Sequence, residues 1–265
     1  MIPKFIHYCW FGRGEESDLM KKCIASWKKF LPEYEIKVWN EDNFDVNSIP
    51  YTRDAYKEKK YAFVSDYVRL CVLYQYGGLY FDVDVELIKP INLIIEKGPF
   101  MAVEAIMNEP VMIAPGLVIA AVPDMPFFRY FVDLYKNESF YLQNGSNNYM
   151  TINKRISNQM ELLGWKRENI FQRIADFNIY PSCYFCPMDW YTKKIKLTDN
   201  TYSIHWYAES WKSYSVVDKV KKKLKLILPD NLIKVLLKIR SYIKYSLKKI
   251  LPGRMINTIK NIGRN

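Results

Sequence analysis

The chain has 265 residues, enough for one substantial hydrophobic core with a small appendage. Hydrophobic residues make up 49% of it and aromatic residues 16%, which excludes disorder over most of its length. No apolar run approaches the roughly 18 to 20 residues of a membrane-spanning helix. The five cysteines are scattered and odd in number, which argues against a disulfide framework. Residues 1–5 lack a signal-peptide pattern, so a cytoplasmic location is the expected default.

The net charge of +11 belongs to the last fifty residues of the sequence. Residues 216–265 contain fourteen Lys or Arg and two Asp, whereas residues 1–215 contain twenty-five basic and twenty-six acidic residues. This asymmetry divides the chain into a nearly neutral body, residues 1–215, and a basic segment, residues 216–265.

The body opens with a pattern of strand, helix and strand. Residues 2–10 are apolar and β-branched enough for a buried strand, which ends at Gly12 and Gly14. Ser17 is a suitable cap for the helix that follows, because its hydroxyl can accept from the first turn. Residues 34–39 alternate apolar and polar side chains, as a second strand does. This order predicts an α/β fold with a largely parallel sheet.

A second helix is predicted over residues 62–76, where apolar residues recur on one stripe and Gly77-Gly78 supplies the stop. The next segment, residues 79–86, is apolar until its acidic residues begin, and we interpret it as a strand that gives way to a loop. Fainter patterns predict strands over 100–103, 117–122 and 202–206, and a helix over 127–135.

In the basic segment, aliphatic residues recur at helical spacing with Lys between them, which predicts two or three amphipathic helices. Three uses are open for them. They can lie on an anionic membrane surface, they can pack against the body or a second subunit of a homo-oligomer, or they can bind nucleic acid. Many aliphatic residues, few Arg and no base-reading motif favour the membrane and disfavour nucleic acid.

Asp82 and Asp84 stand two residues apart, where the predicted strand gives way to a loop. Ligand sites in open α/β sheets lie outside the carboxyl ends of strands. Divalent cations such as Mn2+ or Mg2+ bind carboxylate oxygens and commonly share the phosphates of a substrate. The pair is therefore a candidate metal site, with an ordinary solvated loop as the alternative.

Asp66 and Arg69 are three residues apart on the predicted second helix and share one face, near the turn that leads to the acidic pair. Arg69 can grip phosphate or sugar hydroxyls, and Asp66 can accept from ribose or sugar hydroxyls. The alternative is a local helix salt bridge.

His205 lies among apolar and aromatic residues. A core histidine with one hydrogen bond is the commoner explanation for it, and a metal ligand beside carboxylates is the other.

Three blocks, in order over residues 1–212, carry a resemblance to glycosyltransferase family 32. The first resembles the opening of the family, the second is similar to its central Asp-X-Asp signature, and the third resembles the end of bacterial members of the capsular or O-antigen polysaccharide type. The blocks are residues 2–12; residues 62–70 and 77–84; and residues 179–187 with Ile204-His205-Trp206 and Ser210-Trp211.

This resemblance implies a GT-A (Rossmann-like) catalytic domain over residues 1–215, a nucleotide-sugar donor and a retaining outcome. Bacterial members often have a second His where Trp206 stands, so a two-His variant of the site is unsupported. The implied roles are Trp10 at the uracil, Asp66 and Arg69 at the ribose, diphosphate or transferred sugar, Asp82 and Asp84 at the metal and nucleotide, His205 at the metal or diphosphate, and Trp211 over the phosphate side. Asp66, Arg69 and Asp84 are the expected catalytic residues.

The sequence thus predicts a metal-dependent hexosyltransferase that uses Mn2+ or Mg2+ and a UDP-sugar, with UDP-galactose and UDP-glucose as the favoured donors. The expected acceptor is a polyprenyl-diphosphate-linked saccharide in bacterial surface polysaccharide assembly. The expected location is peripheral, on the cytoplasmic face of the inner membrane. Two alternatives stay open: a metal-dependent phosphohydrolase or nucleotidyltransferase, which also uses clustered Asp, and a membrane-binding scaffold without chemistry.

Overall fold

The computed structural model describes residues 1–208, and within them residues 1–105 and 110–208 form one compact unit. The predicted boundary at residue 215, the amphipathic helices of the basic segment and Trp211 lie outside the described residues. The strands are β1 Phe5–Cys9, β2 Glu35–Trp39, β3 Gly78–Tyr80, β4 Val85–Leu87, β5 Phe100–Glu104, β6 Met112–Ile113, β7 Ile119–Ala121, β8 Gln172–Ile174, β9 Phe177–Tyr180 and β10 Ser203–His205. The helices are α1 Asp18–Phe30, α2 Pro50–Lys57, α3 Tyr61–Tyr76, α4 Asn92–Ile95, α5 Pro126–Lys136, α6 Ile152–Leu162 and α7 Ser182–Phe185.

The main sheet has eight strands in the order β2-β1-β3-β7-β5-β9-β8, with β6 beside β5. β1 pairs in parallel with β2 and β3, and β5 pairs in parallel with β9. β7 is antiparallel to both of its neighbours, and β8 and β6 are antiparallel to theirs. Strands β1, β2, β3, β5 and β9 therefore run in one direction. The predicted α/β fold with a largely parallel sheet is confirmed.

Strand alternation divides the hydrophobic core between the two faces of this sheet. Ile6 and Tyr8 point to one face, where they pack in a cluster with Trp27 of α1. Cys9 points to the other face and joins a cluster that contains the buried stripe of α3. The sheet is therefore covered by helices on both faces, which fixes its strand ends as the exposed rim.

The start of α1 and the end of α3 follow their predicted signals. The hydroxyl of Ser17 accepts a hydrogen bond from the backbone N–H of Met20 at 3.2 Å, so Ser17 caps α1. Helix α3 ends at Tyr76 and is capped by Gly77, with φ +62°, and Gly78 follows with φ +92°. A Cβ on Gly78 would stand 2.8 Å from the carbonyl oxygen of Phe5, so only glycine fits where β3 meets β1.

Residues 79–86 contain the predicted strand that gives way to a loop, and then enter a second strand that was not predicted. β3 belongs to the main sheet, and β4 pairs antiparallel with β10 in a separate two-stranded sheet. A turn separates the two strands, because the N–H of Val85 donates to the carbonyl of Asp82 at 3.1 Å. Asp82 and Asp84 therefore lie on a turn between two sheets.

Helices α2 and α6 were not predicted. Pro50 begins α2, and Thr151 caps α6 by accepting from the N–H of Lys154 at 3.4 Å. Of the helices in residues 1–208, none combines the length and apolarity needed to cross a bilayer.

Candidate functional site

The predicted site residues gather at the carboxyl ends of β1 and β3. Trp10 directly follows β1, and Asp82 and Asp84 follow β3. These two parallel strands are neighbours in the main sheet, so both end at the same rim. This is the edge at which open α/β sheets bind ligands.

Asp66, Arg69 and Asp82 form a cluster of charges on one side of the site. The Nη2 atom of Arg69 lies 3.1 Å from Oδ1 of Asp66 and 3.3 Å from Oδ1 of Asp82. The side chains of Arg69 and Asp66 are 5% and 9% exposed, whereas that of Asp82 is 34% exposed. The prediction that Asp66 and Arg69 share a face is confirmed. They are not an exposed helix salt bridge, because Arg69 is buried and joins two acids from different elements.

Tyr80 and Gly116 hold this cluster in place, and the sequence analysis did not single out Tyr80. Its hydroxyl donates to Oδ1 of Asp82 at 3.2 Å, and its ring lies 4.6 Å from the guanidinium carbon of Arg69. A Cβ on Gly116 would stand 1.9 Å from Oδ2 of Asp82, so only glycine leaves room for the Asp82 carboxylate beside residue 116. Alternation along β3, which puts residues two apart on one side, was the available signal for Tyr80.

Burial and the neighbouring charges set the ionisation of this cluster. The pKa of Asp66 is raised to about 6, because the effects of burial and of the Asp82 charge, which raise it, outweigh that of Arg69, which lowers it. Burial acts to lower the pKa of Arg69, but Asp82, Tyr80 and Asp66 outweigh that effect and raise it. The guanidinium therefore stays charged, and its single positive charge is shared between the carboxyl groups of Asp66 and Asp82.

The small sheet of β4 and β10 brings His205 to the acidic turn from far along the chain. His205 is opposite Val85 in the antiparallel register, and the N–H of Trp206 donates to the carbonyl of Asp84 at 2.9 Å. The Nε2 atom of His205 lies 3.3 Å from Oδ1 of Asp84. The other carboxylate oxygen, Oδ2, accepts from the N–H of Ala208 at 2.8 Å.

Asp84 and His205 are an ion pair in this arrangement. Burial opposes ionisation of Asp84, but the His205 ring and two backbone N–H groups outweigh it, so the pKa of Asp84 lies below its usual range. Burial also acts to lower the pKa of His205, yet Asp84 raises it well above the ordinary value. A divalent cation held by the same two atoms would replace the imidazole proton, because metal ligation requires neutral imidazole.

The donor atoms of Asp84 and His205 fit a divalent cation. Adjacent ligands of an octahedral ion with bonds of 2.0–2.1 Å are about 3 Å apart, close to the 3.3 Å observed between these two atoms. Asp82 is turned toward Arg69 and Tyr80 instead. Across residues 1–208, no group of three or more His, Cys, Asp or Glu is arranged as a metal site. The predicted set of Asp82, Asp84 and His205 therefore stays a prediction.

Trp10 lies in the loop after β1, which is fastened to its neighbours. Its indole N–H donates to the carbonyl of Gly14 at 2.8 Å, and the N–H of Gly12 donates to Oε1 of Glu41 at 2.6 Å. The Trp10 side chain is half-buried at the rim. Its role at a uracil ring stays a prediction, as does that of Trp211.

His7, the other histidine, is part of the core. Its Nε2 donates to the carbonyl of Gly77 at 2.9 Å, and its Nδ1 accepts from the indole N–H of Trp39 at 3.1 Å. These partners fix one neutral tautomer. Burial lowers the pKa of His7 to about 4.

Comparison with known proteins finds a family model and several relatives that match the part of the chain containing this site. The glycosyltransferase sugar-binding region containing the DXD motif matches residues 17–101, which include Asp66, Arg69, Asp82 and Asp84. Inositol phosphoceramide mannosyltransferase 3 of Schizosaccharomyces pombe is 31% identical over 91 residues, covering 32% of this chain and 24% of that protein. Mannosyl phosphorylinositol ceramide synthase CSH1 of Saccharomyces cerevisiae is 24% identical over 203 residues, covering 70% of this chain and 51% of that protein.

The chain thus spans about a quarter and about half of the lengths of these two relatives. Uncharacterized glycosyltransferase L373 of Acanthamoeba polyphaga mimivirus is 30% identical over 155 residues, covering 56% of this chain and 59% of that protein. Among solved structures, the glycosyltransferase involved in glycosylation of the major capsid of PBCV-1 aligns with a TM-score of 0.46 and 12% identity, over 85% of this chain and all of that one.

A further solved structure, the PaToxG glycosyltransferase, aligns with a TM-score of 0.40 and 23% identity, over 50% of this chain and 60% of that chain. Residues 17–101 thus match the sugar-binding region of DXD-containing glycosyltransferases, and this region contains four of the residues gathered at the sheet edge.

Proposed function

We propose that this chain is a retaining hexosyltransferase that uses a UDP-sugar donor and Mn2+ or Mg2+. Its acceptor is a lipid-linked saccharide, and its role is in bacterial surface polysaccharide synthesis. The observation that supports this most is the convergence of two sets of buried polar groups on one sheet edge. Asp66, Arg69 and Asp82 form one set, and Asp84 with His205 forms the other.

Each set suits one part of a nucleotide sugar. Arg69 is a fixed cation that can donate to an anionic or hydroxyl oxygen, since its planar group is anchored between two acids. Asp66 can accept from sugar or ribose hydroxyls. Asp84 and His205 would hold the divalent cation, which when bound supplies Lewis-acid stabilisation of a departing diphosphate. Trp10 offers an aromatic face to the base.

The burial of these groups matters for transfer. Charges excluded from water interact more strongly with a developing negative charge than solvated ones do. Asp66 and Arg69 are nine-tenths buried or more, so their geometry is set before substrate arrives. This preorganisation favours breaking of the glycosyl–phosphate bond over simple donor binding.

The identity of the donor sugar nucleotide is the part of this proposal that has a specific alternative. Two relatives are named for mannosyl transfer, so GDP-mannose must be compared with UDP-galactose and UDP-glucose. The test is a screen of UDP- and GDP-sugars for hydrolysis in the presence of Mn2+, repeated with polyprenyl-diphosphate-linked saccharides. We expect a UDP-hexose to be hydrolysed and then transferred, which yields UDP and a lengthened glycan. Release of inorganic phosphate or pyrophosphate as the first product would refute transfer and indicate a phosphohydrolase or nucleotidyltransferase.

We further propose that the enzyme is peripheral on the cytoplasmic face of the inner membrane, with residues 216–265 as the element that binds anionic lipid. The support is compositional, because fourteen Lys or Arg accompany aliphatic residues at helical spacing. A lipid-linked acceptor would be reached from such a position. Association through this segment with a second subunit is the alternative outcome.

A further inference from the structure

Glu104 is a buried carboxyl at the carboxyl end of β5, and the chemistry above does not use it. The residue is 8% exposed. The side-chain amide of Asn153 donates to its Oε1 atom at 2.8 Å. A carboxyl removed from water at the functional edge of a sheet is costly unless its oxygens accept hydrogen bonds, and Asn153 donates one of them.

The first turn of α6 joins Glu104 to Asp66. The N–H of Ile152 lies 3.4 Å from Oδ2 of Asp66, and the next residue, Asn153, holds Glu104. Two buried carboxyls, one from α3 and one from β5, are thus held by consecutive residues of one helix. Because a helix turn is only about 5 Å long, the two carboxyls border the same small volume.

Glu104 also lies within electrostatic reach of the opposite side of the site. Burial raises the pKa of Glu104, His205 and the Asn153 amide lower it, and Asp82 raises it. Tyr207, whose ring is 4.2 Å from that of His205, also lowers the pKa of Glu104. Glu104 therefore lies within electrostatic range of both Asp82 and His205.

We propose that Glu104 accepts a hydrogen bond from a hydroxyl of the transferred hexose and so helps to determine which donor sugar is used. This inference rests on the proposed function. A hexose attached to a diphosphate at Asp84 and His205 extends into the volume that Asp66 and Glu104 border. A buried carboxylate discriminates well, because a sugar without the matching hydroxyl leaves the oxygen unpaired.

The test compares wild type with Glu104→Gln, using UDP-glucose, UDP-galactose and their deoxy analogues at each hydroxyl in turn, with Mn2+. With the wild-type enzyme, we expect kcat/KM for one deoxy analogue to be roughly 10- to 100-fold lower than for its parent sugar. This is the usual cost of a lost hydrogen bond to a charged group. With Glu104→Gln, kcat/KM for the parent sugar falls by a similar factor. The value for that analogue falls little further, because the hydrogen bond is already absent. The affinity for UDP itself stays within about 2-fold of wild type, because UDP carries no hexose.

Glu161→Gln is the matched control. It makes the same charge change, but Glu161 is 41% exposed and pairs with Arg167 at the end of α6 that is far from Asn153. Its analogue profile should equal that of wild type. Glu104→Asp, which keeps the charge but shortens the side chain, provides a second variant if Glu104→Gln does not fold, and it should blunt the same discrimination.

Three results would overturn the inference: an unchanged analogue profile in both Glu104 variants, a loss of UDP affinity as large as the loss for UDP-hexose, or a loss of discrimination among deoxy acceptors in place of deoxy donors. Failure of the proposed function has a different signature. In that case wild type neither binds UDP with Mn2+ nor hydrolyses any UDP-hexose.

Discussion

Asp84 is the residue on which the metal role depends. Its two oxygens contact His205 and the N–H of Ala208, so replacement by Asn preserves the shape and the second contact but removes the charge. We expect Asp84→Asn to lower kcat/KM for UDP-hexose hydrolysis by at least about 100-fold, the scale seen when a stabiliser of transition-state charge is removed. Steady-state kinetics at saturating Mn2+ measures this.

The control for that variant is Asp133→Asn, because Asp133 is 44% exposed on α5 and pairs with Arg129 on the surface. Its kinetics should match wild type. Activity of Asp84→Asn within a few-fold of wild type, retained in EDTA, would contradict the metal role.

His7 predicts a pH dependence of stability. Its pKa is about 4 in the folded chain and about 6.5 when unfolded, so the unfolded state binds the proton first as the pH falls. The contribution of His7 to stability is therefore complete above pH 6.5 and is lost between pH 6.5 and about 4, by about 3 kcal/mol. Urea unfolding of wild type and His7→Gln across this range measures it. His7→Gln should lack this part of the slope, and parallel curves would contradict the assignment.

At the scale of elements, the junction between α3, β1 and β3 is set by glycine. Gly78 and Gly98 have nearly equal φ values, +92° and +97°, but a Cβ on Gly78 would meet the backbone of Phe5 at 2.8 Å, whereas nothing lies within 4 Å of one on Gly98. Both substitutions to Ala incur backbone strain of about 1–2 kcal/mol. Gly78→Ala should cost roughly 2 kcal/mol more, because the contact with backbone cannot relax.

Denaturant unfolding of the two glycine variants provides the comparison. Equal losses would mean that β3 can move away from β1 without cost. Because Asp82 lies two residues after the end of β3, such freedom would also contradict a preorganised site.

The elements differ in how far the sequence could predict them. Helix α3 was predictable because its apolar stripe and its Gly-Gly stop are local signals, and these also placed Asp66 and Arg69 on one face. Strand β4 was not, because it depends on pairing with β10, more than 100 residues later. Residues 152–162 carry only a weak apolar stripe, so α6 and the link between Asn153 and Glu104 escaped prediction.

Burial was the other property that the sequence could not supply. Asp66 and Arg69 looked equally like a surface salt bridge, and only the folded structure shows that both are buried. The proximity of His205 to Asp84 was expected only from the family resemblance. Local pattern alone favoured an ordinary core histidine.

At the scale of the whole molecule, charge separates the chain into two parts. Deletion of residues 216–265 should abolish binding to liposomes that contain anionic lipid while UDP-hexose hydrolysis stays within about 2-fold of wild type, because every residue of the Asp66–Arg69–Asp82 cluster and the Asp84–His205 pair precedes the deletion. Vesicle sedimentation at low and high salt measures this, and neutral liposomes serve as the control. Undiminished binding by the truncated chain would refute a membrane role for the basic segment.

The most direct measurement for the account as a whole is calorimetry of UDP binding to the full chain, with Mn2+ and then with EDTA. If Asp84 and His205 hold a cation that bridges to the diphosphate, UDP should bind with Mn2+ at least about 10-fold more tightly than in EDTA. Asp84→Asn should remove that difference. Equal affinity for UDP in both conditions, or no binding in either, would contradict the central claim.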